Sequence, residues 1–259
     1  MKFRALVVME LAYEDLQSGK NIYIKDTCHI RPPRLKDIFD EDTGWNQYGV
    51  MLFFLKADKE QLMQFLGITE DFSGSVYDLI FTVPQLLELV RQALAFFIYE
   101  EIIGDSNSRY FIVYQKVLDD AGEEKYTIVG RITEDNYDAV RACILRTQYI
   151  SLDDLDINVS FSSEKAESSW ERIQKYLAEQ NKGEKESDSN MSMGNIISKV
   201  CAIHPSINYL NVYNLTVFQL YDTFFQMSYM RSIDFTEAIV TNHGSETFEY
   251  EKWLEPVFN

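Results

Sequence analysis

An acidic segment near the middle of the chain is the best candidate for a metal site in the sequence. Residues 154–160, DLDINVS, offer oxygen ligands at the first, third and fifth positions of a calcium-binding loop. The sharp turn of such a loop requires glycine where Val159 stands, and the closing bidentate carboxylate is replaced by Lys165. We therefore interpret the segment as a solvated acidic turn rather than as a calcium site.

Thiol and imidazole side chains are the next candidates. Cys28 and His29 are neighbours in a predicted strand, where consecutive side chains point to opposite faces. We expect a half-buried thiol beside an exposed imidazole, because the ligand set of a zinc site is lacking. His204 and His243 lie at predicted helix ends, where a cation suits the helix dipole. The sequence predicts no metal and no cofactor.

Four carboxylates lie close together in a predicted hairpin loop: Asp119, Asp120, Glu123 and Glu124. Exposed carboxylates keep ordinary pKa values and contribute little to acid–base catalysis. The sequence has no GxxxxGK[ST] phosphate loop, no GxGxxG dinucleotide motif, no HExxH zinc motif and no GxSxG nucleophile motif. These observations predict a protein that is not an enzyme.

Composition and charge restrict the partners. The 259 residues are 46% hydrophobic, which is enough to build the core of one large domain or two modest ones. The net charge of -17 disfavours nucleic acid and anionic membrane surfaces as ligands. Residues 215–230 are too short and too polar to span a bilayer, so no membrane association is expected. Three isolated cysteines and no secretory signal favour the cytoplasm.

The pattern of elements predicts an α+β fold that is mostly helical. The expected elements are a strand over 22–30, helices from 35 and over 45–57, 59–66 and 84–102, an antiparallel hairpin of 110–117 with 125–132, and a helix from Thr133 to 147. These belong to an amino-terminal domain, residues 1–160. Residues 161–194 are predicted to be a surface helix and a flexible linker, since 181–194 has little apolar content. Residues 195–259 would form a small all-α carboxy-terminal domain.

One helix of that second domain, predicted over residues 211–231, is apolar on most of its sides. A surface helix usually has a single apolar stripe, so this helix must be covered by other groups. The cover is either the domain's own core, with one edge left exposed, or a client protein or second subunit. The residues alone leave both explanations open.

Several stretches together resemble a group of tail-region proteins from phages and prophages of Gram-positive bacteria. They are GKNIYIKDTCHIRPPRLKDIF, WNQYGVMLFFL, ITEDNYDAVRACILRTQYISL, SEKAESSWERIQKYLAEQNKG, NIISKVCAIHPSINYLNVYNLTVFQLYDTFFQM and the terminal EKWLEP. Gln219, Tyr221, Asp222 and Trp253 match the pattern of that group residue by residue.

The resemblance implies a tail assembly chaperone, a non-catalytic protein of the host cytoplasm that coats the tape-measure protein while the tail tube polymerises. The alternative is a structural tail or baseplate-proximal subunit that stays in the virion tail. Partners would be the tape-measure protein or other tail proteins, with self-association as a further option. The candidate partner-binding residues are Phe218, Tyr221, Phe225 and Trp253.

Overall fold

The computed structural model describes residues 11–40, 44–69, 72–118, 124–150 and 192–243, with backbone only for Leu118 and for residues 235–243. The predicted surface helix, most of the predicted linker, the candidate calcium loop and Trp253 lie outside the described residues. The structure therefore does not test the predictions made for these four features.

The described elements form a mostly helical α+β fold, as predicted. The amino-terminal elements are α1 (Tyr13–Ser18), β1 (Ile22–Ile24), β2 (Cys28–Ile30), α2 (Leu35–Ile38), α3 (Gly44–Lys56), α4 (Lys59–Leu66), α5 (Val76–Thr82), α6 (Pro84–Phe97), β3 (Glu101–Asp105), β4 (Tyr110–Leu118), β5 (Glu124–Ile132) and α7 (Tyr137–Thr147). The carboxy-terminal elements are α8 (Met193–Ile203), a 3-10 turn (Val212–Asn214) and α9 (Val217–His243). The strands form two antiparallel sheets, β1–β2 and β3–β4–β5.

The first sheet corrects the prediction of one strand over residues 22–30. The chain turns back on itself at Asp26, which adopts a left-handed φ of 54°. Ile22 then pairs with Ile30 across the hairpin. The prediction was wrong because no Asn-Gly or similar dipeptide marks this turn.

The α6 helix ends five residues earlier than predicted. Pro84 occupies the first turn, as expected, but Ile98 is extended and forms a bridge with Ile30. The Arg31 amide also donates to the Phe97 carbonyl at 2.7 Å. Pairing with β2 therefore ends the helix, and the chain continues into β3, which the helical spacing did not reveal.

The predicted hairpin of β4 and β5 is confirmed, and β3 adds a third strand to it. Among the sheet residues whose burial is described, Ile102, Phe111, Val113 and Ile132 are buried in the core. Helix α7 begins at Tyr137 instead of Thr133. The Thr133 carbonyl accepts hydrogen bonds from two following amides, so this residue opens a turn that leads into the helix.

A buried arginine joins α7 to the end of α3. The Arg141 side chain is 2% exposed, and its guanidinium donates to the Leu55 and Ala57 carbonyls at 2.9 and 3.3 Å. The last carbonyls of a helix have no partner within the helix. Arg141 satisfies two of them and is itself paired with the Asp138 carboxylate at 3.2 Å.

The carboxy-terminal helices share one hydrophobic core with the amino-terminal elements. Gln219 on α9 donates to the Gln17 carbonyl at the end of α1, 2.7 Å away. Helix α8 begins at Met193 behind the capping Ser192, slightly earlier than expected. The division of the chain near residues 181–194 remains a prediction, because nearly all of that segment lies outside the described residues.

The start of α9 differs from the predicted residue 211. Thr216 and Gln219 form a reciprocal capping box, in which each side chain bonds the other's backbone amide, at 3.2 and 2.9 Å. The preceding Leu215 is extended. Residues 211–215 therefore belong to a loop and a 3-10 turn, and the helix extends to His243, beyond the predicted end at residue 231.

Candidate functional site: an exposed aromatic surface

Three of the predicted partner-binding residues lie together and face Tyr149, two residues after the end of α7. The ring centroids of Phe218, Tyr221 and Phe225 are 5.2, 5.6 and 5.4 Å from that of Tyr149. Phe218 is only 2% exposed, whereas Tyr221 and Phe225 are half-buried. This side of α9 packs on the protein itself. Trp253 lies outside the described residues.

The backbone at Tyr149 explains how its ring reaches α9. This residue has a φ of 62°, which is uncommon for an aromatic side chain. The conformation is held at the end of α7 by a hydrogen bond from the Ile150 amide to the Leu145 carbonyl, 3.0 Å. The turn directs the aromatic ring into the cluster and supports packing of the segment after α7 on α9.

The polar residues that match the phage tail pattern also hold α9 in place. The Asp222 carboxylate is 7% exposed and accepts hydrogen bonds from the Tyr13 hydroxyl at 2.7 Å and from the Gln17 amide group at 3.4 Å. Burial raises the pKa of the Asp222 carboxyl, and the hydrogen bonds oppose this shift. Asp222 therefore docks α9 on α1.

Sequence reasoning missed an exposed group of rings that we call the aromatic patch: Phe39, Trp45 and Tyr213. These side chains are 42%, 44% and 39% exposed. The rings of Phe39 and Trp45 are stacked, with centroids 5.8 Å apart and planes at 10°. Tyr213 meets Phe39 edge-on at 5.9 Å.

Three separate elements build the aromatic patch. Phe39 ends α2, Trp45 begins α3 and Tyr213 lies in the 3-10 turn. The Leu35 amide donates to the Leu215 carbonyl at 2.9 Å, which fixes the turn against α2. The complete patch therefore forms only when the 3-10 turn is packed against α2.

The aromatic patch also has a rigid support beneath it. Trp45 packs on the buried Tyr48, with centroids 5.3 Å apart, and the Tyr48 hydroxyl donates to the Gln148 side chain at 2.7 Å. Gly44 enters α3 with a φ of 63°, a conformation that glycine adopts without steric cost. The exposed rings are thus held by the core.

The loop that carries Tyr213 presents further apolar surface. Leu210, at its tip, is 93% exposed, and its neighbour Tyr209 is largely exposed. The loop is held by its own hydrogen bonds, including Asn211 to the Ser206 carbonyl at 2.9 Å. A fully exposed leucine on an ordered loop is an unusual surface feature, because apolar contact with water is unfavourable.

His204 supports this loop in a different way from the one predicted. It is the C-cap residue of α8, as its position suggested. Its Nδ1 atom accepts hydrogen bonds from the Ser206 and Ile207 amides at 3.2 and 3.1 Å. These two hydrogen bonds hold the start of the loop against the imidazole ring at the end of α8.

The Cys28 and His29 side chains of β2, which the sequence offered as a possible thiol or metal site, have structural contacts in the fold. The buried Glu100 carboxylate accepts from the His29 amide at 2.9 Å and lies 2.5 Å from its Nδ1 atom. Cys28 points to the opposite side and is fully buried, where the prediction expected half-burial. Burial, and then the charge of Glu100, raise the pKa of this thiol, which disfavours the reactive thiolate.

Other predicted features are tested only in part by the described residues. Within them, no group of three or more His, Cys, Asp or Glu side chains is arranged to hold a metal ion. Asp119, Asp120 and Glu123 lie outside the described residues, while Glu124 is exposed at the start of β5. No single described helix is long and apolar enough to cross a membrane, and the bent pair α5–α6 meets that test by length and composition only.

Comparison with known proteins connects the carboxy-terminal part of the chain to phages. Residues 182–257 match the model of a family described as the YomV second domain. The match spans α8, the loop with Leu210 and α9. No curated protein and no solved structure matched the chain. The family match indicates a phage-derived protein, in agreement with the phage and prophage part of the resemblance.

Proposed function

We propose that this phage-derived protein is a non-catalytic tail assembly chaperone, which binds the tape-measure protein in the host cytoplasm while the tail tube forms. The observation that supports binding of a protein is the exposed aromatic patch beside Leu210. Aromatic rings on a rigid support are typical of protein-binding hot spots, since little conformational entropy is lost when they are covered. The resemblance to tail-region proteins supports the identity of the client.

The charge of the protein is consistent with this role. A chaperone that presents apolar groups must remain in solution before its client is made. The net charge of -17 favours solubility through mutual repulsion of the chains. It also disfavours DNA, which is present wherever phage particles assemble.

Co-purification of the protein with the tape-measure protein from the same genome tests the proposal. Leu210→Ser removes the most exposed apolar side chain and should reduce recovery of the client strongly while leaving the melting temperature unchanged. Ile128→Ser is the matched control, because Ile128 is also exposed, at 56%, but lies on β5. Equal recovery with wild-type protein and both variants would count against the loop as the binding surface.

The alternative function, a structural tail or baseplate-proximal subunit, is favoured by the three-stranded sheet. β5 is an edge strand of this sheet, with Tyr126 and Ile128 exposed. Edge strands are a common route to association between chains. Mass spectrometry of purified particles separates the two functions, because a chaperone leaves the particle and a subunit remains in stoichiometric amount.

A further inference from the structure

Strand β5 forms one edge of the three-stranded sheet. Its residues 124–128 are all exposed, and β3 pairs only with residues 110–114 of β4, so this end of the β4–β5 hairpin extends beyond β3. Alternate backbone amides and carbonyls of an edge strand point away from the sheet. Among the described residues, backbone hydrogen bonds join residues 126–129 to no strand other than β4. The edge is therefore available to a further strand.

Two large apolar side chains lie on the same face of β5 at this edge. Tyr126 and Ile128 are two residues apart and are 61% and 56% exposed. The Tyr126 ring is held by β4, because the Tyr114 ring meets it edge-on at 5.5 Å and the Lys116 ammonium group lies 5.9 Å from its centroid. Both of these β4 side chains bond the Glu101 carboxylate on β3, at 2.8 and 3.2 Å. A ring that is already ordered loses little conformational entropy when a partner covers it.

The charge of β5 differs from that of the chain as a whole. The 259 residues carry 41 acidic and 24 basic side chains, whereas residues 124–132 carry one acidic and two basic side chains. A strand that pairs with a copy of itself meets its own charges again, and like charges directly opposite each other are destabilising. A nearly neutral strand in an acidic protein therefore suits contact between two copies of the chain.

The sequence of β5 is complementary to itself in one antiparallel register, with a two-fold axis at Thr127. Tyr126 of one copy then faces Ile128 of the other, and the symmetry makes this contact twice. Aromatic and β-branched side chains form favourable cross-strand pairs. On the other face of the sheet Thr127 meets its own copy, and threonine pairs are also favourable. An axis at Lys125 would instead oppose two lysines.

We propose that the protein forms a dimer in which two β5 strands pair antiparallel about Thr127, so that two three-stranded sheets join into one sheet of six strands. The inference goes beyond the proposed function, because it concerns contact between copies and holds for a chaperone and for a tail subunit. The exposed edge selects a strand as its partner, and the self-complementary register identifies that strand as a second copy of β5. Pairing over residues 125–129 gives a small interface, so the dissociation constant should be roughly micromolar or weaker.

Sedimentation equilibrium of the full-length protein tests the inference. Wild-type protein should pass from monomer to dimer between about 10 µM and 1 mM. Thr127→Lys and Thr127→Glu each place two like charges about 5 Å apart across the axis and should weaken the dimer about tenfold. An equimolar mixture of the two variants places opposite charges there and should restore the dimer. Wild-type protein that stays monomeric throughout would overturn the inference and leave the edge to a strand of another protein.

Gln115→Lys and Gln115→Glu are the matched controls. Gln115 is exposed and is the cross-strand neighbour of Thr127 on β4. In the joined sheet it lies three strand spacings from its own copy, about 14 Å, where salt screens most of the interaction. Both controls should dimerise like the wild type, and circular dichroism melting checks that all four variants are folded. Equal weakening by the Gln115 and Thr127 variants, or a Thr127 mixture that associates no more tightly than either variant alone, would contradict pairing about Thr127.

Discussion

The stability of Phe218 variants provides a quantitative test of how α9 is packed. Phe218 is 2% exposed, and its ring lies 6.0 Å from that of Tyr13 and 5.2 Å from that of Tyr149. Phe218→Ala leaves a cavity and should lower the free energy of unfolding by about 3–5 kcal/mol. Phe225 is half-buried in the same cluster, so Phe225→Ala should cost about 1–2 kcal/mol.

Urea denaturation followed by circular dichroism measures both changes, since the midpoint shifts in proportion to the lost free energy. In thermal melting, Phe218→Ala should lower the melting temperature by roughly 6–20 °C. Leu210→Ser serves as the control and should leave the stability near that of the wild type, because its side chain is 93% exposed. A Phe218→Ala protein with unchanged stability would refute the assignment of this side of α9 to the core.

Further predictions concern a carboxyl group, a buried arginine and a glycine. Burial raises the pKa of Asp222, so the folded protein keeps a proton that the unfolded chain has lost, and stability falls as the pH rises through this interval. Asp222→Asn still accepts the Tyr13 hydrogen bond and should flatten this dependence in denaturation at several mildly acidic pH values. Arg141→Met leaves two carbonyls at the end of α3 without donors and should cost about 3 kcal/mol or more in urea denaturation. Gly44→Ala, at a φ of 63°, should cost about 1 kcal/mol in the same assay, although no atom of the described residues lies within 4 Å of the added methyl group.

Local signals in the sequence account for the elements that were predicted well. Helix α4 agrees with the predicted residues 59–66, because Asp58 and Gln61 form a capping box before it and Gly67 follows it with a φ of 67°. The β4–β5 hairpin likewise follows from two β-rich runs separated by a polar loop. These features depend on neighbouring residues only.

Contacts between distant residues explain what the sequence did not reveal. The end of α6 depends on pairing of Ile98 with Ile30, and the start of α9 follows a turn fixed by the Leu35–Leu215 hydrogen bond. Neither contact has a local signal. The sequence therefore predicted the apolar sides of the 211–231 helix, but it did not predict which residues pack against them.

The aromatic patch was missed for a related reason. Phe39, Trp45 and Tyr213 are far apart in the sequence or belong to different elements, and aromatic residues are buried more often than they are exposed. The one local signal was in the sequence itself: the acidic run between Phe39 and Trp45 is typical of an exposed segment, and both aromatic residues flank it. Burial of Phe218 and exposure of Trp45 could be distinguished only in the folded chain.

The most direct test of the account is quantitative recovery of the tape-measure protein by wild-type protein, Leu210→Ser and Phe225→Ser in one co-expression experiment. We predict strong loss of the client with Leu210→Ser at unchanged melting temperature. Phe225→Ser should instead lower the melting temperature, because this residue packs on Tyr149. The opposite result, with full recovery by Leu210→Ser and loss of the client by a normally melting Phe225→Ser, would contradict the account and place the partner surface on α9.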